Sequence, residues 1–373
     1  MSILGTHREA LDLIARRSRT RRLIPRAGVD FASNDYLALS QAPELRAAVA
    51  AALDRGVAIG AGGSRLLRGN DPEHEALEAE AAAFFGSEAA LYFSSGFAAN
   101  SAIFSTLPAN RDLIVHDELV HASVHEGLRL GRTTNVAARH NDVQAFADAI
   151  RAWRAEGGKG RVWIAVESLY SMDGDLAPLA ELAGLADREQ AFLVIDEAHA
   201  TGVFGPEGRG LAHDLEGREN IVTLRTCGKA MGCEGALICA PRPLIDLLVN
   251  KARGFIFSTA PSPLAAAAVR ASIGLLRDQP ERRERLAGLI AHAGTRLPAS
   301  GSQIVPVVIG DDAQTMEIAG ALQARGFDVR GIRPPTVPRG TSRLRVSLTL
   351  HVDEATVGAL ADAIHALLPG AGS

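Results

Sequence analysis

Lysine is scarce in this chain. Among 39 basic residues in 373, only Lys159, Lys229 and Lys251 are lysines, so chemistry that needs a primary amine has three candidates. Cysteine is equally rare. Cys227, Cys233 and Cys239 are odd in number, fall in one short stretch and form no Cys-x-x-Cys pair, which points to reduced, buried thiols rather than a disulfide framework or a thiolate metal site. No apolar run approaches the roughly 18–20 residues that span a bilayer. The opening Met-Ser-Ile-Leu-Gly-Thr-His-Arg carries no signal-peptide core, so a cytoplasmic protein without a membrane partner is expected. A surplus of positive charge is also missing: the net charge is −4 and the pI about 6.3, which removes the general basic surface that non-specific nucleic-acid binding needs. What is present is the composition of a folded globular protein, 47% hydrophobic and 22% charged.

The length exceeds one core, since single cores stop growing near ~250–300 residues. Three units are expected: an N-terminal helix and arm over 1–35, a large α/β domain over 36–250 and a smaller α+β domain over 251–373. Residues 3–22 alternate apolar and arginine-rich positions at helical spacing before Pro25, predicting an amphipathic helix able to lie across a larger body. Short apolar runs then alternate with helical stretches. Ala89–Phe93, Asp112–Val115, Arg161–Val166, Phe192–Ile195 and Ile221–Leu224 read as buried strands of a parallel sheet covered on both faces. A helix over 72–85 is delimited by Pro72 and Gly86. After about Asn250 helices are expected at 263–277, 281–297, 313–325 and 354–368, with strands at Ile304–Val308 and 343–349.

Ligands of open α/β sheets sit beyond the carboxyl ends of the strands, and those ends are polar here. Strand 89–93 runs into Ser94-Ser95-Gly96-Phe97, where a helix N-terminus could hold a phosphate. Asp196 and His199 follow strand 192–195 and can share one crevice. Lys229 sits in the small-residue loop Thr-Cys-Gly-Lys-Ala, where desolvation would leave a neutral amine for Schiff-base chemistry. Lys159 reads as a solvated turn and Lys251 as a helix end. Two other readings use the same residues. Asp-Glu-Ala-His (196–199) matches the acidic tetrapeptide of a helicase class, but no Gly-x-x-x-x-Gly-Lys-Ser/Thr loop precedes it. His121 and His125, four apart on a predicted helix near His116, Asp117 and Glu126, could bind zinc in a metal-dependent hydrolase, although His-Glu-x-x-His is absent.

Taken together, Ser-Asn-Asp-Tyr-Leu (33–37), Gly-Gly-Ser-Arg (62–65), Ser-Gly-Phe-Ala-Ala-Asn (95–100), His-Ala-Ser (121–123), Ser-Met-Asp-Gly-Asp (171–175), Asp-Glu-Ala-His-Ala-Thr-Gly (196–202) and Thr-Cys-Gly-Lys-Ala (226–230) resemble the α-oxoamine synthases. The resemblance implies fold type I of the pyridoxal-phosphate-dependent transferases, a mostly parallel seven-stranded sheet with a smaller α+β C-terminal domain, and decarboxylative condensation of an amino acid with an acyl thioester. It implies no bound metal. Asp-Glu-Ala-His-Ala-Thr-Gly and Ile-Arg-Pro-Pro-Thr-Val-Pro-Arg-Gly-Thr (332–341) are most similar to the biotin-pathway member, which joins L-alanine to a pimeloyl group carried by coenzyme A or acyl carrier protein. The alternative is the member that joins glycine to succinyl-CoA.

By the same resemblance, Lys229 would hold pyridoxal 5'-phosphate through a Schiff base, Asp196 would pair with the pyridinium nitrogen, His199 would bond the ring hydroxyl and His121 would stack on the ring. Gly96, Phe97 and Thr226 would bind the phosphate and Ser171 would support the cofactor. Asn34 and Arg345 would hold the amino-acid carboxylate, and Arg21 and Thr336 would contact substrate. Ser258 and Thr259 would reach the phosphate of a neighbouring subunit in a homodimer. Two departures stand out: Ala38 replaces a usual glycine, and the region before Phe31 is short, which trims a small N-terminal strand pair.

Overall fold

In a computed structural model, which describes residues 3–16 and 20–368, α1 (Gly5–Arg16) is followed by an irregular segment leading to β1 (Val29–Asp30). Helices α2 (Pro43–Asp54) and α3 (Pro72–Phe85) precede the main sheet. Its strands are β2 (Ala89–Phe93), β3 (Leu113–Asp117), β4 (Thr134–Ala138), β5 (Val162–Glu167), β6 (Phe192–Asp196), β7 (Ile221–Thr226) and β8 (Ala236–Ala240), in the spatial order β2-β8-β7-β6-β5-β3-β4. Between them lie α4 (Gly96–Thr106), α5 (Ala122–Leu130), α6 (Val143–Ala155) and α7 (Leu179–Glu189). The chain then runs through α8 (Arg242–Lys251), α9 (Arg253–Ile256), α10 (Pro263–Asp278) and α11 (Pro280–Gly294). It closes with β9 (Ile304–Gly310), α12 (Asp312–Ala324), β10 (Phe327–Asp328), β11 (Arg330–Ile332), β12 (Ser342–Ser347) and α13 (Glu354–His365).

Alternation along the strands builds the layers. Ile114, Trp163, Val194 and Val222 pack on α4, α5 and α8, while Val115, Ile164, Ile195 and Ile221 pack on α6 and α7. Strands covered on both faces read as continuous apolar runs, which is why five of the seven are visible in the sequence. The sequence expectation omits the other two, β4 and β8, although β8, Ala-Leu-Ile-Cys-Ala, is as apolar and as buried as the five. β4 is an edge strand with only Ala138 buried, so it lacks the apolar signature. β8 follows β7 after nine residues, too few for a parallel crossover, and it pairs antiparallel with both β7 and β2. The β7–β8 connection closes through Gly235, whose φ of +90° and Cβ position 2.4 Å from the Tyr92 ring exclude a side chain.

A third core joins α2, α3 and α10 to the small sheet β11-β12-β9 and α13, through Tyr36, Leu77, Val269, Val346 and Leu360. Two of the N-terminal expectations change. The helix described over Gly5–Arg16 does not run to 22, since residues 20–28 are irregular; positions 17–19, with Arg17 and Arg19, lie outside the described residues. No residue of α1 is buried, so it does not lie across the rest of the described chain. The trimmed strand pair survives as two residues: Val29–Asp30 pairs in parallel with Phe327–Asp328.

Ala38 shows why a glycine is usual at its position. It adopts φ 52°, ψ 35°, the left-handed conformation, which crowds a Cβ against the following carbonyl. Ala38→Gly should therefore stabilise the chain by ~0.5–1 kcal/mol despite glycine's greater freedom when unfolded. A small upward shift in the thermal midpoint of the variant checks this; a downward shift contradicts it.

Candidate active site

The carboxyl ends of β3, β5, β6 and β7 open on one edge of the sheet, and their last residues or the turns after them supply Asp117, Glu167, Asp196 and Lys229. Lys229 is carried on the β7–β8 connection, pinned where Cys227 N donates to Gly235 O and Cys233 N to Cys227 O, each at 2.9 Å. Its Nζ lies 2.8 Å from His199 Nε2. Burial brings the lysine's pKa down to about 8, against the opposing pull of Asp196 and Glu167. Burial, with the nearby Lys229 and Arg345 cations, holds His199 well below the usual imidazole range, so the ring is neutral.

A line of hydrogen bonds leaves His199 on its other side. Nδ1 is 2.6 Å from the buried Tyr36 hydroxyl, which donates at 3.0 Å to Asn34 Oδ1. Arg345 Nη2 also donates to Asn34 Oδ1 at 3.1 Å, while its Nε donates to the Ser171 carbonyl at 2.6 Å. Assigned from the network, Lys229 donates to Nε2, Nδ1–H donates to Tyr36, and Tyr36 donates to Asn34; this tautomer leaves no member without a partner. A second line serves Asp196. Its Oδ2 accepts from Asn100 Nδ2 at 2.7 Å and its Oδ1 from Ala198 N at 2.9 Å. Asn100 Nδ2 also reaches Ser123 Oγ at 2.9 Å, and Ser123 Oγ is 2.8 Å from His121 Nδ1. Burial depresses the His121 pKa, partly countered by Asp196. Glu167, in register with Asp196 on the neighbouring strand, is buried and pushed up to about 8 by burial and by that carboxylate.

His121 is not on a helix four residues before a second ligand, as the zinc reading required. It is the N-cap of α5, its Nδ1 accepting from Ser123 N at 3.2 Å, while His125 stands edge-on to His116 at 5.2 Å. Among the described residues no group of three or more His, Cys, Asp or Glu side chains comes together as a metal cage.

The helix N-terminus expected after β2 is there. Ser95 Oγ caps α4 by accepting from Ala98 N at 3.1 Å, and the first-turn N–H groups of Gly96 and Phe97 have no helical acceptor. A Cβ on Gly96 would stand 3.9 Å from Thr226 Oγ1, so the threonine hydroxyl and the helix end face the same space. A cleft of about 800 Å³, lined by Asn34, Asp35, Gly228, Lys229, Arg330 and His351, leads to the lysine. Arg21 is exposed in the irregular segment and makes no hydrogen bond or ion pair among the described residues, and Thr336 is exposed in the 333–341 loop. Ser258 and Thr259 are exposed just after Phe257. Tyr36, Asn100 and Ser123 join the site unannounced by spacing, although each falls inside one of the motif blocks 33–37, 95–100 and 121–123.

A partly desolvated amine, a carboxylate fixed beside it, a neutral imidazole and a free helix N-terminus are the parts of a site for an aldehyde-bearing pyridine phosphate, and they define a pyridoxal-phosphate-dependent enzyme. Residues 26–364 match the family of class I and II aminotransferases, and the chain belongs to that family. It is 45% identical over 352 residues to the 8-amino-7-oxononanoate synthase of Anaeromyxobacter dehalogenans (strain 2CP-1), covering 92% of this chain and 87% of that one. Among solved structures it is similar to 8-amino-7-oxononanoate synthase from Francisella tularensis, with TM-score 0.77 and 27% identity over 90% of this chain and 96% of that one. It is also similar to a serine palmitoyltransferase from S. paucimobilis with a bound PLP–myriocin aldimine, with TM-score 0.87 and 27% identity over the whole of both chains. Among the described residues no helix is long and apolar enough to cross a membrane.

The lowered pKa of Lys229 has a measurable sign. A neutral amine captures an aldehyde and an ammonium does not, so the rate at which cofactor-free protein takes up pyridoxal phosphate should rise with pH and level off above about pH 8–9. A rate still climbing at pH 10 contradicts the burial argument. Lys229→Arg should not develop the visible absorbance at any pH, because a guanidinium stays protonated.

Proposed function

We propose that this enzyme condenses L-alanine with a pimeloyl thioester, releasing carbon dioxide and free thiol and forming 8-amino-7-oxononanoate, a step of biotin biosynthesis. The observation that carries this reading is the product name shared by curated relatives 40–46% identical over most of the chain. When bound, pyridoxal phosphate supplies an aldehyde for the amine and a protonatable ring that withdraws electrons from the amino acid's α-carbon.

The chain's own residues divide the remaining work. Lys229 holds the cofactor and, once freed by alanine, takes the proton from its α-carbon, a task suited to an amine whose pKa is about 8. With the cofactor bound, Asp196, steered by Asn100, would keep a proton on the ring nitrogen, and His121 would stack on the ring. His199 bonds the ring hydroxyl, its orientation set by Tyr36. Gly96, Phe97 and Thr226 bind the phosphate and Ser171 supports the cofactor from its loop. Arg345 and Asn34, already joined at 3.1 Å, receive the alanine carboxylate in bidentate fashion. Thr336 contacts the donor from the 333–341 loop, and Arg21 pairs with the terminal carboxylate that distinguishes pimeloyl from unbranched monocarboxylic acyl groups.

The enzyme acts as a homodimer with sites at the subunit interface. Supporting this, the large apolar side chains of Phe97, Leu67 and Phe257 are 50%, 85% and 71% exposed, Phe97 in the first turn of the phosphate-site helix and Phe257 next to Ser258 and Thr259, and a second copy would cover them. Coenzyme A or acyl carrier protein carries the donor, and the reaction belongs in the cytoplasm.

Rates with pimeloyl-, succinyl- and octanoyl-CoA, each with alanine and with glycine, test the assignment. Pimeloyl with alanine should be fastest, and a preference for succinyl with glycine overturns it in favour of the glycine-using member. Arg21→Ala should weaken use of the pimeloyl donor tenfold or more, about the scale of a charged hydrogen bond, while octanoyl use is unchanged. Equal losses on both donors remove the carboxylate-pairing role.

A further inference from the structure

Outside the cofactor crevice, on the far side of the two turns that line it, stands a group of polar residues with no part in the chemistry above. His140, in the turn after the edge strand β4, has both ring nitrogens on carboxylates: Nδ1 is 3.0 and 3.1 Å from the two oxygens of Asp117, and Nε2 is 2.8 Å from Asp175 Oδ2. A carboxylate only accepts, so both nitrogens carry protons and the ring is an imidazolium. Asn141 repeats the bridge, its N donating to Asp117 Oδ2 and its Nδ2 to Asp175 Oδ2, each at 2.8 Å.

The two carboxylates belong to different turns. Asp117 ends β3 and is wholly buried; its Oδ1 accepts from Leu119 N at 2.8 Å and so shapes the turn that presents His121. Asp175 lies in the loop after β5 that carries Ser171, whose carbonyl aims the Arg345 guanidinium. Within that loop Tyr170 N donates to Asp175 O at 3.0 Å, and the Tyr170 ring meets His140 edge-on at 4.4 Å. Of the other charged groups around the bridge, Glu118 accepts from the His140 backbone at 3.0 Å, Arg139 pairs with Asp142 and Asp173 pairs with Arg343.

We infer that His140 is a positioning residue: its doubly bonded imidazolium ties the His121 turn to the Ser171 loop and thereby sets the distance between the face that stacks on the cofactor and the arginine that receives the amino-acid carboxylate. The charge is robust. Burial opposes it, but Asp117 and Asp175 raise the His140 pKa to about 10, and the same contacts hold Asp117 below the ordinary carboxylate value although burial pushes it up. The inference also explains why the sheet carries an edge strand with almost no core of its own: β4 delivers His140 and Asn141 to this point.

The part concerning alanine rests on the proposed function; the part concerning the cofactor does not. The test compares His140→Gln and Asp175→Asn with wild type in three measurements: the pyridoxal phosphate dissociation constant, the visible absorption of the loaded enzyme, and KM for alanine against kcat. His140→Gln should weaken cofactor binding about tenfold and raise the alanine KM about tenfold, with kcat within about twofold and the absorption maximum unmoved, because Lys229 and Asp196 keep their own anchors. Asp175→Asn should move the same quantities by less, and the double variant should be no worse than His140→Gln. If His140→Gln fails to fold, Asp175→Asn, on a half-exposed side chain, decides alone. Unchanged cofactor affinity and KM, or a fall in kcat with KM constant, overturns the inference. Wild type that binds cofactor but does not use alanine with a pimeloyl donor overturns the proposed function instead, and cofactor affinity then judges His140 by itself.

Discussion

Keeping one amine dry without leaving it stranded as a charge is the constraint around which the crevice is built. Removing Lys229 from water favours its neutral form, and unopposed burial would leave an inert core lysine with no use for its proton. Two carboxylates at the ends of adjacent parallel strands, Asp196 and Glu167, pull the other way and hold the amine near its midpoint at about pH 8. Those carboxylates then need partners of their own, and the surrounding polar lines supply them. Asn100 takes Asp196, Ser171 N donates to Glu167 at 3.1 Å, and His199 stays neutral between Lys229 and Tyr36. Remove the buried amine from this set and the carboxylates would face each other uncompensated.

The same turn solves a second charge problem on its opposite side. Asp196 faces the crevice, while Glu197 beside it turns back into the protein, where Arg225 lies wholly buried between Glu197 at 3.5 Å and Glu216 at 2.5 Å with its guanidinium over the Phe85 ring. Arg225 also donates to the Arg209 carbonyl, and Glu197 accepts from Ala212 N, so the turn that aims Asp196 and His199 is gripped from behind by ionic contacts that never see the substrate. Such a buried triad is weak evidence for stability, because desolvation offsets most of its attraction. Its contribution here is to direction.

Much of this was legible from strand ends. A parallel sheet places the residues after β5, β6 and β7 on one edge, so the proximity of Asp196, His199 and Lys229 follows from topology alone. What the sequence hides are contacts between distant segments. The Tyr36 hydroxyl meets His199 across 163 positions and Asn100 meets Asp196 across 96, and no spacing rule encodes either. Helical periodicity continued past Arg16 because arginine tolerates a helix well, and no stop residue intervened before Pro25. β4 escaped notice for the opposite reason: Thr-Asn-Val-Ala-Ala has neither alternation nor apolar density, and only its neighbour β3 makes it a strand.

The pairing of β7 and β8 has a consequence for how far the reactive nitrogen can travel. Because these strands are joined in one antiparallel ladder and the connection is closed again by Cys227 and Gly235, the loop is moored to the sheet at both feet. Its backbone has little freedom to follow a departing ligand. In the proposed reaction Lys229 would therefore pass from holding a cofactor to serving as a base only by rotating its own four-carbon tether, and the arc it sweeps would be set by side-chain torsions on a fixed pivot. A base so mounted would stay within one swing of the bond it must break.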